Sequence, residues 1–177
     1  MKDRISRFKD LKPLPIQNES IPEKARDVVY ARKLLSVIGL EEKTPINMGA
    51  PITGAAGMTM TLAVCPPGQG PGLHNHVQTY ETFTVLKGRF EVRWQADGSE
   101  KVVLEAFDTI SLPPGICRAF RNVGSEEGIL QVIITGGVHD MSDIDFTPGA
   151  RRDIEAVGPG LAEEFEKAGF TFTARSA

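Results

Sequence analysis

The chain has 177 residues and a formal charge of −3 from 20 basic and 23 acidic side chains, a length that suits one domain able to bury its core without disulfides. Charges of both signs are mixed along it, and no Lys/Arg stripe or basic run interleaved with aromatics occurs, which argues against nucleic acid or an anionic membrane as partner. No apolar run reaches the length of a spanning helix, and the charged start Met1-Lys2-Asp3-Arg4 lacks a following signal-peptide core, so the chain reads as cytoplasmic.

Residues 1–22 carry Lys12-Pro13-Leu14-Pro15 and Ile21-Pro22, which discourage helix and predict an extended arm packed on the surface or on a neighbour. Residues 25–40 mix a partial helical period (Ala25, Val28, Val29, Leu34, Leu35, Ile38) with β-branched content, and we read a short helix entering a strand that ends at Gly39. After the turn-rich 51–57, residues 58–64 alternate as a half-buried strand. The loop 65–72 holds three prolines and three glycines, so it forms no strand and delivers His74 at a loop edge. Strands follow at 82–86 and 89–94, joined as a hairpin at Lys87-Gly88, where glycine accommodates positive φ.

Asp97-Gly98 marks the next turn, with further strands at 101–104, 109–112, 117–123 and 129–135. Many short strands with regular turn signals mean a β-sandwich or barrel. Beyond Gly136-Gly137 the chain is polar, and only 161–168, stopped by Gly169, reads as a helix. The expected division is an arm with helix and strand over 1–50, a barrel over 51–137 and an extension over 138–177. Cys65 and Cys117, without CxxC spacing, read as reduced packed thiols, with Cys117 turned to the opposite face from Arg118.

The most informative stretch is Gly68-x5-His74-x-His76-x4-Glu81-x6-Gly88. In an extended strand, residues i and i+2 share a face, so His74 and His76 present two imidazoles toward one point. Glu81, beyond a short turn, supplies a third ligand. Two imidazoles and a carboxylate leave positions open for substrate or O2, the facial arrangement of non-haem Fe(II) oxygenases.

These residues resemble the first motif of the cupin superfamily at every spacing. Phe107-Asp108-x4-Pro113-Pro114-Gly115-x2-Arg118-x3-Asn122 resembles the second, with two departures: Phe107 stands where the family has Gly, and Arg118 where it has a third histidine ligand. The resemblance covers residues 58–135 and implies an all-β double-stranded β-helix, or jelly-roll, barrel. It also implies a divalent transition metal on His74, His76 and Glu81, with Fe(II) first and Mn, Ni or Zn open, and a homodimer formed by exchange of terminal strands.

Arg118 changes the electrostatics. At an effective dielectric near 20, a +1 charge about 5 Å from a +2 ion repels it by roughly 6 to 7 kcal/mol, and a guanidinium does not deprotonate to escape. Arg118 then has three outcomes: it clamps an anionic substrate, it bridges to Glu81 with no metal, or it turns out of the barrel. The first is preferred, because a planar guanidinium binds a carboxylate or enolate in two parallel hydrogen bonds. Phe120, on the same face by strand parity, is the expected pocket wall beside it, whereas Phe83, Phe90 and Trp94 read as packing. Gln78 and Tyr80 read as packing or turn residues, Gln78 with a lesser chance of bonding a ligand. His139 reads as a surface histidine, or as a replacement ligand or base reaching the barrel mouth.

These readings lead to a metal-binding cupin of dioxygenase type acting on a small aromatic or enolic acid, with Arg118 and Phe120 binding the substrate. Two alternatives stand: a non-catalytic small-molecule-binding cupin with a degenerate metal site, and an isomerase or epimerase.

Overall fold

Period-two burial in the central strands builds a closed interior. In β4 (Tyr80–Lys87) Glu81, Phe83 and Val85 are buried while Thr82 and Thr84 are partly exposed, and β5 (Phe90–Trp94) buries Phe90 and Val92. β9 (Gly128–Thr135) buries Leu130 and Val132. Such alternation is the signature of strands with one face on a core.

The computed structural model describes residues 4–14, 20–40, 49–54, 57–136 and 141–175. The remaining strands are β1 (Lys33–Ile38), β2 (Met58–Cys65), β3 (His74–His76), β6 (Glu100–Leu104), β7 (Thr109–Leu112), β8 (Arg118–Asn122) and β10 (Ile144–Phe146). They form two five-stranded sheets, ordered β1-β2-β9-β4-β7 and β10-β3-β8-β5-β6, with every strand pairing antiparallel. Facing one another, they enclose a core that includes Phe83, Val85, Phe90, Val92, Phe120, Leu130 and Val132. This is the double-stranded β-helix barrel expected from the motifs.

The connection at Lys87-Gly88 departs from expectation. β4 and β5 lie in different sheets and do not pair, so the turn carries the chain across the barrel and is not a hairpin. Gly88 still adopts φ +89°, and a Cβ there would come within 3.2 Å of the Gly128 backbone. Gly70 has a sterically stricter role: a Cβ on it would lie 1.9 Å from the Phe120 carbonyl oxygen, so only glycine lets the proline-rich loop reach β8. Two backbone bonds tie that loop down, Gly68 N to Asn122 O (2.8 Å) and Asn122 N to Gln69 O (3.0 Å).

The flanking segments complete the sheets. α1 (Glu23–Arg26) precedes β1 as expected, and Leu11 packs against an apolar cluster of Leu35, Val37, Leu62 and Val64. On the C-terminal side, α2 (Pro148–Val157) follows β10 and precedes α3 (Leu161–Lys167). Thr147 caps α2 by accepting from Ala150 N, with Pro148 at its first turn. These helices join α1 and β10 around a third cluster that includes Ala25, Phe146, Ile154, Phe165 and Phe170. β10 and α2 were not read from the sequence; Thr147-Pro148 is a helix-start signal that would have found α2. α3 matches the expected helix, and Gly169 ends it at φ +95°. No helix among the described residues is long and apolar enough to cross a membrane.

Candidate metal centre

β3 is only three residues long, yet it is held on both sides. His74 lies opposite Arg118 of β8, while β10 pairs His76 with Ile144 and His74 with Phe146. The strand's alternation sends both imidazoles inward, where both residues are buried. Glu81, on β4 of the other sheet, is 4 % exposed. Its Oε2 lies 3.7 Å from His74 Nε2 and 3.6 Å from His76 Nε2.

The backs of the two rings decide which nitrogen faces the site. His74 Nδ1 lies 2.9 Å from the Gly72 carbonyl, which only accepts, so a neutral ring carries its proton on Nδ1 and its lone pair on Nε2. His76 Nδ1 lies 2.9 Å from Asp143 Oδ2 and 3.1 Å from Thr79 Oγ1. Asp143 also accepts from the Thr79 hydroxyl and from Gln78 N. Burial alone would raise the Asp143 pKa, but the bonds from His76, Thr79 and Gln78 hold it below the usual carboxylate range. An ionised carboxylate only accepts, so His76 is also oriented with Nε2 toward Glu81.

Burial alone would likewise raise the Glu81 pKa; His76, His74 and Arg118 outweigh it and bring it to about 2. Glu81 Oε2 is buried and accepts no hydrogen bond. Apart from the Arg118 guanidinium 3.8 Å away, nothing among the described residues satisfies that oxygen, which faces the two inward histidine nitrogens. Ligand atoms about 2.1 Å from one ion lie about 3.0–3.4 Å apart in octahedral or tetrahedral geometry, and both N···O separations come within a few tenths of an ångström of that range. All three ligand atoms lie within 4.8 Å of one another. The residues present therefore fit a divalent metal.

Arg118 is fully buried. Its Nη2 donates to the carbonyls of Leu112 (3.3 Å) and Pro113 (2.6 Å), its Nε sits 3.8 Å from Glu81 Oε2, and Nε and Nη1 lack hydrogen-bond partners. Desolvation lowers its pKa against the charges of Glu81 and Asp143, and a guanidinium still keeps its proton. The site opens into a mainly apolar cavity of about 150 Å³, whose walls include Tyr30, Thr61, Phe120, Ile134, Phe146 and Phe170 together with the two histidines and Glu81. Arg118 is not part of that wall. The expectation that it clamps a substrate anion is therefore not met in this geometry, because its head is held by the turn of its own motif behind Glu81.

Phe120 does line the cavity, edge-on to Phe83 at 5.2 Å. Asn122 faces the same interior but is committed to structure, donating to the carbonyls of Cys65 and Glu126. Gln78 points its side chain to solvent, and only its backbone N–H serves the site. Cys117 is buried, and His139 lies outside the described residues. Asp143, Tyr30, Phe146 and Phe170 were missed because they come from segments outside the motifs, with no spacing to mark them.

Residues 61–134 match the family model described as the cupin domain. The matched residues form a cupin domain. Among solved structures similar to the chain is a protein from Bacillus halodurans, 21% identical, with 50% of this chain and 69% of that chain covered and a TM-score of 0.46. Another is an uncharacterized conserved protein with a double-stranded β-helix domain from Klebsiella pneumoniae, at 25% identity, 47% and 70% coverage and TM-score 0.43. A cupin protein from Bacteroides fragilis is also similar, at 25% identity, 47% and 69% coverage and TM-score 0.42. No curated protein matches the chain.

Proposed function

We propose that this cupin is a metal-dependent oxidoreductase of dioxygenase type, binding one divalent transition metal through His74 Nε2, His76 Nε2 and Glu81 Oε2 and acting on a small aromatic or enolic acid. The observation that carries the reading is the convergence of these three atoms, with a carboxylate oxygen that accepts no hydrogen bond, at the wall of an apolar cavity. A bound metal would supply Lewis acidity and coordination positions for substrate oxygen and O2. The chain's own residues do the rest. Phe120 and Ile134 pack the apolar body of the substrate, and the aromatic wall formed by Phe146 and Phe170 keeps water from it. Tyr30 brings a phenol to the same wall, able to donate to a substrate oxygen.

With Arg118 outside the cavity wall, the substrate's acidic oxygen is matched to the metal face rather than to a guanidinium. Small molecules whose apolar ring carries one chelating enol or carboxylate group fit best. A homodimer is part of this proposal, and sedimentation showing a monomer would remove it.

The test is elemental analysis of protein purified without metal-affinity steps, after anaerobic Fe(II) loading, alongside His76→Ala. One equivalent in the parent and strong loss in the variant is the expected result; metal in neither ends the reading. Oxygen uptake with a panel of small enolic and aromatic acids then tests turnover.

A further inference from the structure

We infer that Asp143, from the C-terminal extension, is a positioning residue for the metal centre: it fixes the His76 ring. The inference rests on the metal reading above and adds a residue outside both motifs. Asp143 is 1 % exposed, and its carboxylate receives His76 Nδ1, the Thr79 hydroxyl and Gln78 N. Its backbone carbonyl accepts from Val77 N at 2.8 Å, so main chain and side chain both clasp the turn that follows β3.

Of the three contacts on this buried carboxylate, one is to the back of a ring whose other nitrogen faces Glu81. A carboxylate there holds the tautomer, aims Nε2 and raises the basicity of the ligand. Asp143 stands outside both motifs, in the turn that leads into β10, and reaches the centre through the pairing of β10 with β3.

The experiment is titration of Zn(II) into metal-free wild type, Asp143→Asn and Asp145→Asn by calorimetry. Asp145 lies on β10, two residues after Asp143, but bonds to Thr173, away from the centre, and controls for general disturbance of that strand. The expected result is a 10- to 100-fold weaker affinity for Asp143→Asn and no change for Asp145→Asn. Equal affinity in wild type and Asp143→Asn overturns the inference and leaves the metal reading intact, whereas no Zn(II) binding by wild type overturns both. Should Asp143→Asn fail to fold, nitrogen-15 NMR of Zn(II)-loaded wild type decides. A hydrogen-bonded Nδ1 proton on His76, with Nε2 on the metal, supports the inference; coordination through Nδ1, or an unprotonated Nδ1, refutes it.

Discussion

Arg118 decides how strongly the centre attracts a cation. Buried with Nε and Nη1 unpartnered, its guanidinium is desolvated without full compensation, and it lies 3.8 Å from the Glu81 oxygen that faces both histidines. Replacing a buried ion-pair member by an apolar residue of similar volume removes that desolvation penalty, although it also frees Glu81. Two neutral imidazoles with a bound metal would satisfy the freed carboxylate. Arg118→Met is therefore expected to bind Zn(II) at least about tenfold more tightly, given that a single like charge at this range repels by several kcal/mol. Calorimetric titration checks it, and weaker binding in the variant would mean that Arg118 supports the centre.

Tyr30 offers a second measurement at this scale. Burial pushes its phenol up to about 12 from the ordinary 10, with the ring edge-on to Phe170 at 5.8 Å. The folded state holds that proton more tightly than the unfolded chain does, so its contribution to stability is complete below pH 10 and is lost as pH rises through about 12. Denaturant unfolding followed from pH 9 to about 12 should show a loss of stability that Tyr30→Phe reduces. Identical profiles for the two proteins would place the phenol in contact with water.

Among the elements, the strands of the barrel were legible because a half-buried strand writes its burial as period two, and 109–112 and 129–135 do so; β2 instead buries both faces, Ala63 and Cys65 in the barrel core and Leu62 and Val64 in a second cluster. Their partners were less so: a turn such as Lys87-Gly88 looks the same whether the chain folds back or crosses to another sheet. β10 is three residues long and was invisible to any pattern, yet its pairing with β3 brings Asp143, in the turn just before it, to the site. Histidine and glutamate spacing picked out the three side chains that converge, since a local motif records local geometry, but the guanidinium's direction depended on carbonyls from the preceding turn.

That second motif also contains a strained element. Phe107 stands at φ +76° with 81 % of its surface exposed, so the turn between β6 and β7 keeps a conformation suited to glycine while carrying a bulky side chain. Phe107 N donates to Val85 O, which pins the strained residue in place. Left-handed backbone costs an ordinary L-residue about 1–2 kcal/mol, partly offset in a glycine variant by about 0.5–1 kcal/mol of lost chain entropy. Because the ring buries little, Phe107→Gly is expected to stabilise the protein by up to about 1 kcal/mol, raising Tm by about 2–4 °C. A lowered Tm would indicate that the exposed ring is covered in solution.

For the whole molecule, the metal reading has a thermodynamic consequence. Both sheets and the turn before β10 supply one buried set of Glu81, Arg118, Asp143 and the two histidines. If the Glu81–Arg118 pair sufficed to hold that set, added metal would leave unfolding unchanged. If a divalent ion completes it, the ion binds only the folded state, since the ligands come from both sheets, and free metal at a hundred times Kd adds about 2.7 kcal/mol. For a chain of this size each kcal/mol moves Tm by about 2–4 °C, so metal-free protein should gain about 5–11 °C on saturation with Zn(II) or anaerobic Fe(II). Glu81→Gln keeps the shape of the side chain while removing its charge, and should abolish most of the gain. A parent protein whose Tm does not respond to any divalent transition metal would instead assign the barrel's interior to the ion pair.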